Sequence, residues 1–163
     1  MKRSVPVSKN KRNIINKLNR SNEIRIKRLE DFSSIITFLE NIKDKEQEFK
    51  IKRETEAIIR LLKLENKYKL LLLCLFHEDK IIGFIINEIL SDNKHSIGHF
   101  LKSSTKFHSG FGTIMLNKMC QILHEKGFYY LNMEQDLGLP GLRKWKELHK
   151  PTHFLKKYAV IYR

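Results

Sequence analysis

Two cysteines, three prolines and one tryptophan in 163 residues leave little material for several protein classes. Cys74 and Cys120 are too few for a disulfide framework or a four-cysteine zinc site. Each sits in an apolar stretch, so both read as buried free thiols in a reducing compartment. Seven glycines and three prolines exclude collagen-like and low-complexity chains. Long hydrophobic runs are also missing. The longest, Leu70 to Phe76, is seven residues, and a membrane span needs about 20. The basic start, Met1 to Arg12, is followed by no apolar segment of the kind that marks a secretion signal. No internal repeat is present.

Acidic residues are scarce as well, and the scarcity is local. Residues 1–20 hold seven Lys/Arg and no acid, and residues 140–163 hold seven with only Glu147 against them. The two ends carry 13 of the 14 net positive charges, while residues 21–139 have 18 basic and 17 acidic side chains. A near-neutral body with cationic ends suits a polyanionic partner, such as RNA phosphates or anionic lipid headgroups. Of the residues present, 41% are hydrophobic and 31% charged, as in a globular protein. At this size roughly 68–70% of the unfolded surface can be buried. The expected organisation is a basic arm or short helix at 1–20 and a single domain over 21–163.

Periodicity sets out the elements. Met1 to Asn10 reads as a loose tail and Lys11 to Arg20 as a short basic helix. Glu23 to Leu29 alternates as a strand. Phe32, Ile35, Ile36 and Leu39 stand at helical spacing, and a second helix is predicted from about Arg53 to Glu65. The charged stretch Asn41 to Lys52 between them reads as a solvated linker. Tyr68–His77 and Lys80–Leu90 are apolar runs joined by Glu78-Asp79, which predicts a hairpin buried on both faces. His95 to Ser103 gives a third strand in series. Ser109-Gly110-Phe111-Gly112 then opens a helix with an apolar stripe of Ile114, Met115, Met119, Ile122 and Leu123, closed by Gly127. Phe128–Met133 is predicted as a buried strand, Leu139–Lys150 as a helix with Pro140 in its first turn, and Phe154–Tyr162 as a last strand.

The predicted class is α/β: a mixed, mostly antiparallel sheet with flanking helices. Its order resembles the GNAT acyltransferase fold. In that fold the fourth strand and the helix that follows it splay away, and an acyl-donor cofactor enters the gap. The resemblance points to Gly110 and Gly112 as a phosphate-binding turn, because a helix start presents unbonded N–H groups. Phe107 stands where the GNAT loop has Gln or Arg, with Lys106 beside it.

Other residues have chemistry suited to transfer. Glu134 and Asp136 lie two apart after the fifth strand, where a carboxylate can orient or deprotonate an attacking amine or hydroxyl. The alternative is that they cap the next helix or pair with Arg143. Arg143 and Lys146 share a helix face and read either as a solvated basic face or as phosphate contacts. The spacing predicts Arg143 paired with one of the acids and Lys146 left to meet a ligand. Trp145 is expected to anchor that helix to the core. His99 and His108 flank the third strand of the series and the glycine turn. No Cys/His nucleophile pair or metal-ligand cluster stands out.

Asn132-Met-Glu-Gln-Asp-Leu-Gly-Leu-Pro-Gly-Leu-Arg-Lys-Trp-Lys146, with Lys150-Pro-Thr-His-Phe-Leu-Lys-Lys-Tyr158 after it, resembles the end of the phosphatidylglycerol lysyltransferase C-terminal-like domain. That family's pattern is N-x-E-x-D-L-G-x-x-G-L-R-x-x-K, then Pro, then K-Y. Lys11-Arg12-Asn13 is similar to the K-R-N that opens its linker helix, and Gly98-His99-Phe100 to its fourth strand. The likeness runs over about residues 9–163. It implies two tandem GNAT-like halves, of which this length accommodates the second. It also implies an aminoacyl group moved from aminoacyl-tRNA to phosphatidylglycerol or another acceptor. Glu134 and Asp136 are then the catalytic positions, and Arg143, Lys146, Lys157 and His99 the substrate-binding ones. The expected partners are tRNA or anionic phospholipid, and a second GNAT-like half on another chain or in a homodimer. The expected place is the cytoplasm, including the inner membrane surface. An acyl-CoA N-acetyltransferase using acetyl-CoA, and a non-catalytic half-enzyme that binds RNA or anionic lipid, are the alternatives.

Overall fold

The computed structural model describes residues 24–29, 32–43, 49–64, 66–103, 110–156 and 158–161. The arm over 1–20, with its expected tail and short helix, lies outside them. So do Lys106, Phe107, His108 and Lys157. The described residues fall into two units, one running to Met133 and the other starting at Glu134.

The larger unit reads β1 (Ile24–Leu29), α1 (Ser33–Lys43), α2 (Phe49–Lys63), β2 (Leu70–His77), β3 (Lys80–Ile89), β4 (His95–Ser103), α3 (Phe111–Glu125) and β5 (Tyr130–Asn132). The strands form one sheet in the order β1-β2-β3-β4-β5. The first four are antiparallel, and β5 runs parallel to β4. This is the expected mixed α/β sheet.

Both faces of the sheet are covered, which is why β2 reads as an unbroken apolar run. Leu71 to Leu75 are all buried. On one face Leu72, Cys74, Phe84 and Ile86 pack with Phe32, Ile35 and Leu39 and with Ile58, Ile59 and Leu62 of α2. On the other, α3 buries Phe111, Met115, Leu116, Met119 and Leu123. Cys74 is fully buried, and burial pushes its thiol up to about 12. Cys120 is partly buried, and its thiol is raised for the same reason.

Two irregularities matter for the site. Between β2 and β3 the register slips after Leu75–Gly83. At Gly83 the backbones of β3 and β4 come so close that a Cβ would stand 2.9 Å from the Lys102 carbonyl oxygen, so glycine is required there. Between β3 and β4, Ile86 faces Phe100 but Asn87 faces Gly98, which leaves His99 as the extra residue of a β-bulge.

Four expectations need correction. First, α2 starts at Phe49, and α1 runs to Lys43, so much of the stretch read as linker is helical. Charge along a sequence does not by itself mark a loop, because an amphipathic helix carries the same residues on its wet side, as Lys52 and Arg53 do here. Second, β5 has three residues and is not buried: Tyr130 is 51% exposed. Third, Phe154–Tyr162 forms no strand among its described residues. Phe154, Leu155, Tyr158, Val160 and Ile161 are each at least 74% exposed. A strand needs a partner edge, and the unit from Glu134 onward contains no described strand. Fourth, Trp145 is only partly buried and is not one of the buried core residues. No residue of its helix is buried, and its ring packs on His149 at 4.5 Å.

The smaller unit consists of a turn over 134–139, α4 (Pro140–Glu147) and the extended stretch that follows. Pro140 occupies the first turn of α4, where its missing N–H costs nothing. No helix among the described residues is long and apolar enough to cross a membrane.

Candidate functional site

The feature of the larger unit that can hold a ligand is the parting of β4 from β5. The two strands pair over only three positions, His95–Tyr130, Ser96–Leu131 and Ile97–Asn132. β4 then continues from Gly98 to Ser103 with β3 on one side and no strand partner, among the described residues, on the other. Its first turn is well fixed. Asp92 accepts hydrogen bonds from the Lys94 and His95 amides at 2.9 and 3.0 Å and meets His95 Nδ1 at 2.5 Å. These bonds hold the Asp92 carboxyl down at about 2. The His95 ring stacks on Tyr130 at 4.8 Å, which ties the start of β4 to β5.

At the far end of β4 stands the start of α3. A Cβ on Gly112 would meet Ser103 Oγ at 3.6 Å and Leu101 Cδ2 at 3.7 Å. Gly110 is the N-cap residue, with φ −87° and no side-chain cap. Neither glycine is demanded by backbone strain, and alanine would fit at 112. The Ile114 amide donates to the Gly110 carbonyl at 3.1 Å, and the amides ahead of it are the part of a helix that can receive an anion.

The bulge brings His99 to Glu88. His99 Nε2 and Glu88 Oε2 are 2.8 Å apart, with side chains 20% and 19% exposed. On the same strand Lys102 Nζ donates to Glu54 Oε2 of α2 at 2.6 Å. Sequence reading singled out His99 but missed Glu88. A signal was there: Asn87-Glu88 is a polar pair inside the apolar run Ile81–Leu90.

In the smaller unit the predicted residues build a folded-back turn. Glu134, Leu137 and Gly138 all have positive φ, at 55°, 55° and 72°. Arg143 Nε donates to the Asp136 carboxylate. The other Asp136 oxygen accepts the Gly138 amide at 3.0 Å, and the Asp136 carbonyl accepts the Leu139 amide at 2.9 Å. Arg143 and then the Gly138 amide hold the Asp136 carboxyl below its ordinary range. The pairing of Arg143 with one acid is thus present, and Asp136 is the partner.

Lys146 departs from the expectation that it would be left over for a ligand. Its ammonium donates to the carbonyls of Glu134 at 3.2 Å and Gln135 at 2.7 Å. Partial burial lowers its pKa. The turn folds back onto α4, and its carbonyls take the charge that sequence spacing assigns to a phosphate. Glu134 is exposed, and Lys157 lies outside the described residues. No cluster of three or more metal-ligating side chains occurs among the described residues.

Comparison with known proteins places this geometry. No curated protein sequence matches the chain. Several solved structures share its fold. An aminoglycoside acetyltransferase from an uncultured soil metagenomic sample superposes with a TM-score of 0.60 at 20% identity, over 88% of this chain and 97% of that one. A ribosomal-protein-alanine N-acetyltransferase from Brucella melitensis biovar Abortus 2308 gives 0.59 at 11% identity, over 86% and 99%. A conserved protein of unknown function from Bacteroides thetaiotaomicron gives 0.65 at 23% identity, over 89% of this chain but 50% of that one. These likenesses establish the GNAT acyltransferase-like fold. Residues 7–161 match the family described as phosphatidylglycerol lysyltransferase, C-terminal.

Proposed function

We propose, because this chain belongs to the phosphatidylglycerol lysyltransferase C-terminal family, that it is an aminoacyltransferase acting on an aminoacyl-tRNA. The acyl ester would lie along the edge of β4 beyond Ile97. The observation that supports this most is the parting of β4 from β5 at that point, with the start of α3 beside Ser103. Gly110 and Gly112 let the donor's phosphates approach that helix start. An acceptor hydroxyl of the phosphatidylglycerol kind attacks the ester carbonyl. The His99–Glu88 pair takes its proton and returns it to the leaving ribose hydroxyl, so no proton is lost overall. Taken by itself, the smaller unit offers Glu134 as an exposed carboxylate for a substrate hydroxyl or amine. Asp136, Arg143 and Lys146 shape the turn that carries it, and Lys157 adds cationic charge for substrate. The arm 1–20 and the basic stretch 140–163 bind the polyanion, tRNA or anionic lipid. A second GNAT-like half, on another chain or in a second copy, completes the enzyme at the inner face of the membrane.

One observation favours a second reading. The chain spans 97% of a single-domain aminoglycoside acetyltransferase. An acyl-CoA N-acetyltransferase would use the same gap for acetyl-CoA.

The deciding experiment offers the purified chain radiolabelled lysyl-tRNA with phosphatidylglycerol vesicles, or acetyl-CoA with a panel of amines. Label in the lipid fraction, lost in His99→Ala, supports aminoacyl transfer. Acetylation of an amine without lipid labelling selects the second reading. Salt-sensitive binding to tRNA or vesicles with no turnover in either assay would make the chain a binding module and overturn both.

A further inference from the structure

Asn87 lies in the middle of β3, opposite Leu71 on one side and Gly98 on the other. It is fully buried, and neither its Nδ2 nor its Oδ1 has a hydrogen-bond partner among the described residues. A buried carboxamide with both ends unbonded is costly, and native proteins rarely keep one without a use for it. The other small polar side chain on this face, Ser96, is also fully buried but donates to the Tyr130 carbonyl at 3.3 Å.

Its surroundings give the orphan group a direction. Directly paired residues share a sheet face, so Asn87 and Gly98 look the same way. That is the face on which a Cβ at Gly98 would meet Met133 Sδ at 3.4 Å and Leu131 Cδ1 at 3.7 Å. Gly98 is also the first residue of β4 past its last pairing with β5. With no side chain at 98, the side chains of Met133 and Leu131 are the ones that lie over this spot beside the place where the strands part. Methionine is unbranched and flexible, so it can swing aside.

We propose that Asn87 is a ligand-binding residue, whose carboxamide hydrogen-bonds the carbonyl and neighbouring N–H of an acyl donor lying where β4 parts from β5. The proposal rests on the reading of that gap as the donor site. A carboxamide offers one acceptor and two donor hydrogens, which matches a ligand carrying a C=O next to an N–H. The amides of a pantetheine arm have that pattern, and so does an aminoacyl ester with its α-amino group. The shared chemistry is what Asn87 reads, and the two probes below separate the sources.

The test compares the wild-type chain with Asn87→Leu, using acetyl-CoA and lysyl-tRNA as probes. Leucine has asparagine's γ-branched skeleton of four heavy atoms and no polar atoms to leave unbonded, so the unliganded variant should melt at or above the wild-type temperature. Its affinity for whichever probe the wild type binds should fall by about tenfold or more. A variant that melts higher and binds as the wild type does overturns the proposal while leaving the donor site in place. A wild type that binds neither probe overturns the donor-site reading and this proposal with it. If Asn87→Leu does not fold, the ¹⁵N-labelled wild type decides: the Asn87 side-chain amide signals must shift on adding the bound probe, and unmoved signals refute the assignment.

Discussion

Arg143 and Lys146 stand three residues apart on α4 and hold two parts of one turn. Arg143 takes the Asp136 carboxylate, and Lys146 takes the carbonyls of Glu134 and Gln135. Spacing alone put both cations on one face. It did not show the turn closing onto them, because that depends on positive φ at Glu134 and Leu137, residue types that give no such signal. Arg143→Ala and Lys146→Ala should therefore both loosen the turn. Faster amide exchange at Gly138 and Leu139, with β2 and β3 unchanged, is the expected result. Global stability should change little in either variant, since such exposed contacts contribute little. Asp92 gives a residue-level prediction in pH. Its folded pKa, about 2, lies below the ordinary value of 3.8. The ionised form is thus favoured by folding. Its contribution is complete above about pH 4 and is lost as pH falls toward 2. A carboxyl NMR titration should place the Asp92 midpoint near 2, and Asp92→Ala should flatten the acid limb of stability between those values.

Elements whose identity depends on burial were legible in the sequence. The β2–β3 hairpin and β4 lie where the apolar runs and the Glu78-Asp79 turn put them, because a strand covered on both faces must be apolar throughout. Elements defined by a partner were not. The composition of Phe154–Tyr162 suits a strand, but composition does not supply an edge. The charged start of α2 was misread because one wet helix face and a linker have the same residues. The site was half legible for the same reason: His99 stands out by type, but its link to Glu88 needs the register of β3 on β4. The two glycine contacts with β4 make opposite predictions. Gly83→Ala forces a Cβ against the Lys102 carbonyl and should destabilise by about 1–3 kcal/mol. Gly112→Ala meets only ordinary contacts and gains helix propensity, so it should leave stability unchanged or raise it by up to about 1 kcal/mol. Chemical denaturation of the two variants checks both signs.

For the whole molecule the charge is divided: residues 21–139 are nearly balanced, while the ends carry 13 of the 14 net charges. Any polyanion bound by the ends should dissociate as salt rises, by counterion release. Removing residues 1–12 takes away five of the cations. The log-affinity for tRNA or anionic vesicles should then fall at low salt, with a shallower slope against log salt; equal slopes would place the contact elsewhere. The central sheet has a different consequence. Cys74 sits at its centre with no exposure, and its thiol is held protonated to about pH 12. Only a thiolate attacks a disulfide reagent, so Cys74 does not react until the sheet opens. Cys120 is partly covered on α3 and needs a smaller opening. In a Cys120→Ala background, then, the colour released by such a reagent becomes a stopwatch for global unfolding. When reclosing outpaces modification, the observed rate divided by that of the same thiol in denaturant is the equilibrium constant for opening. The protein thus carries its own reporter, buried in a strand that is paired on both edges and covered on both faces.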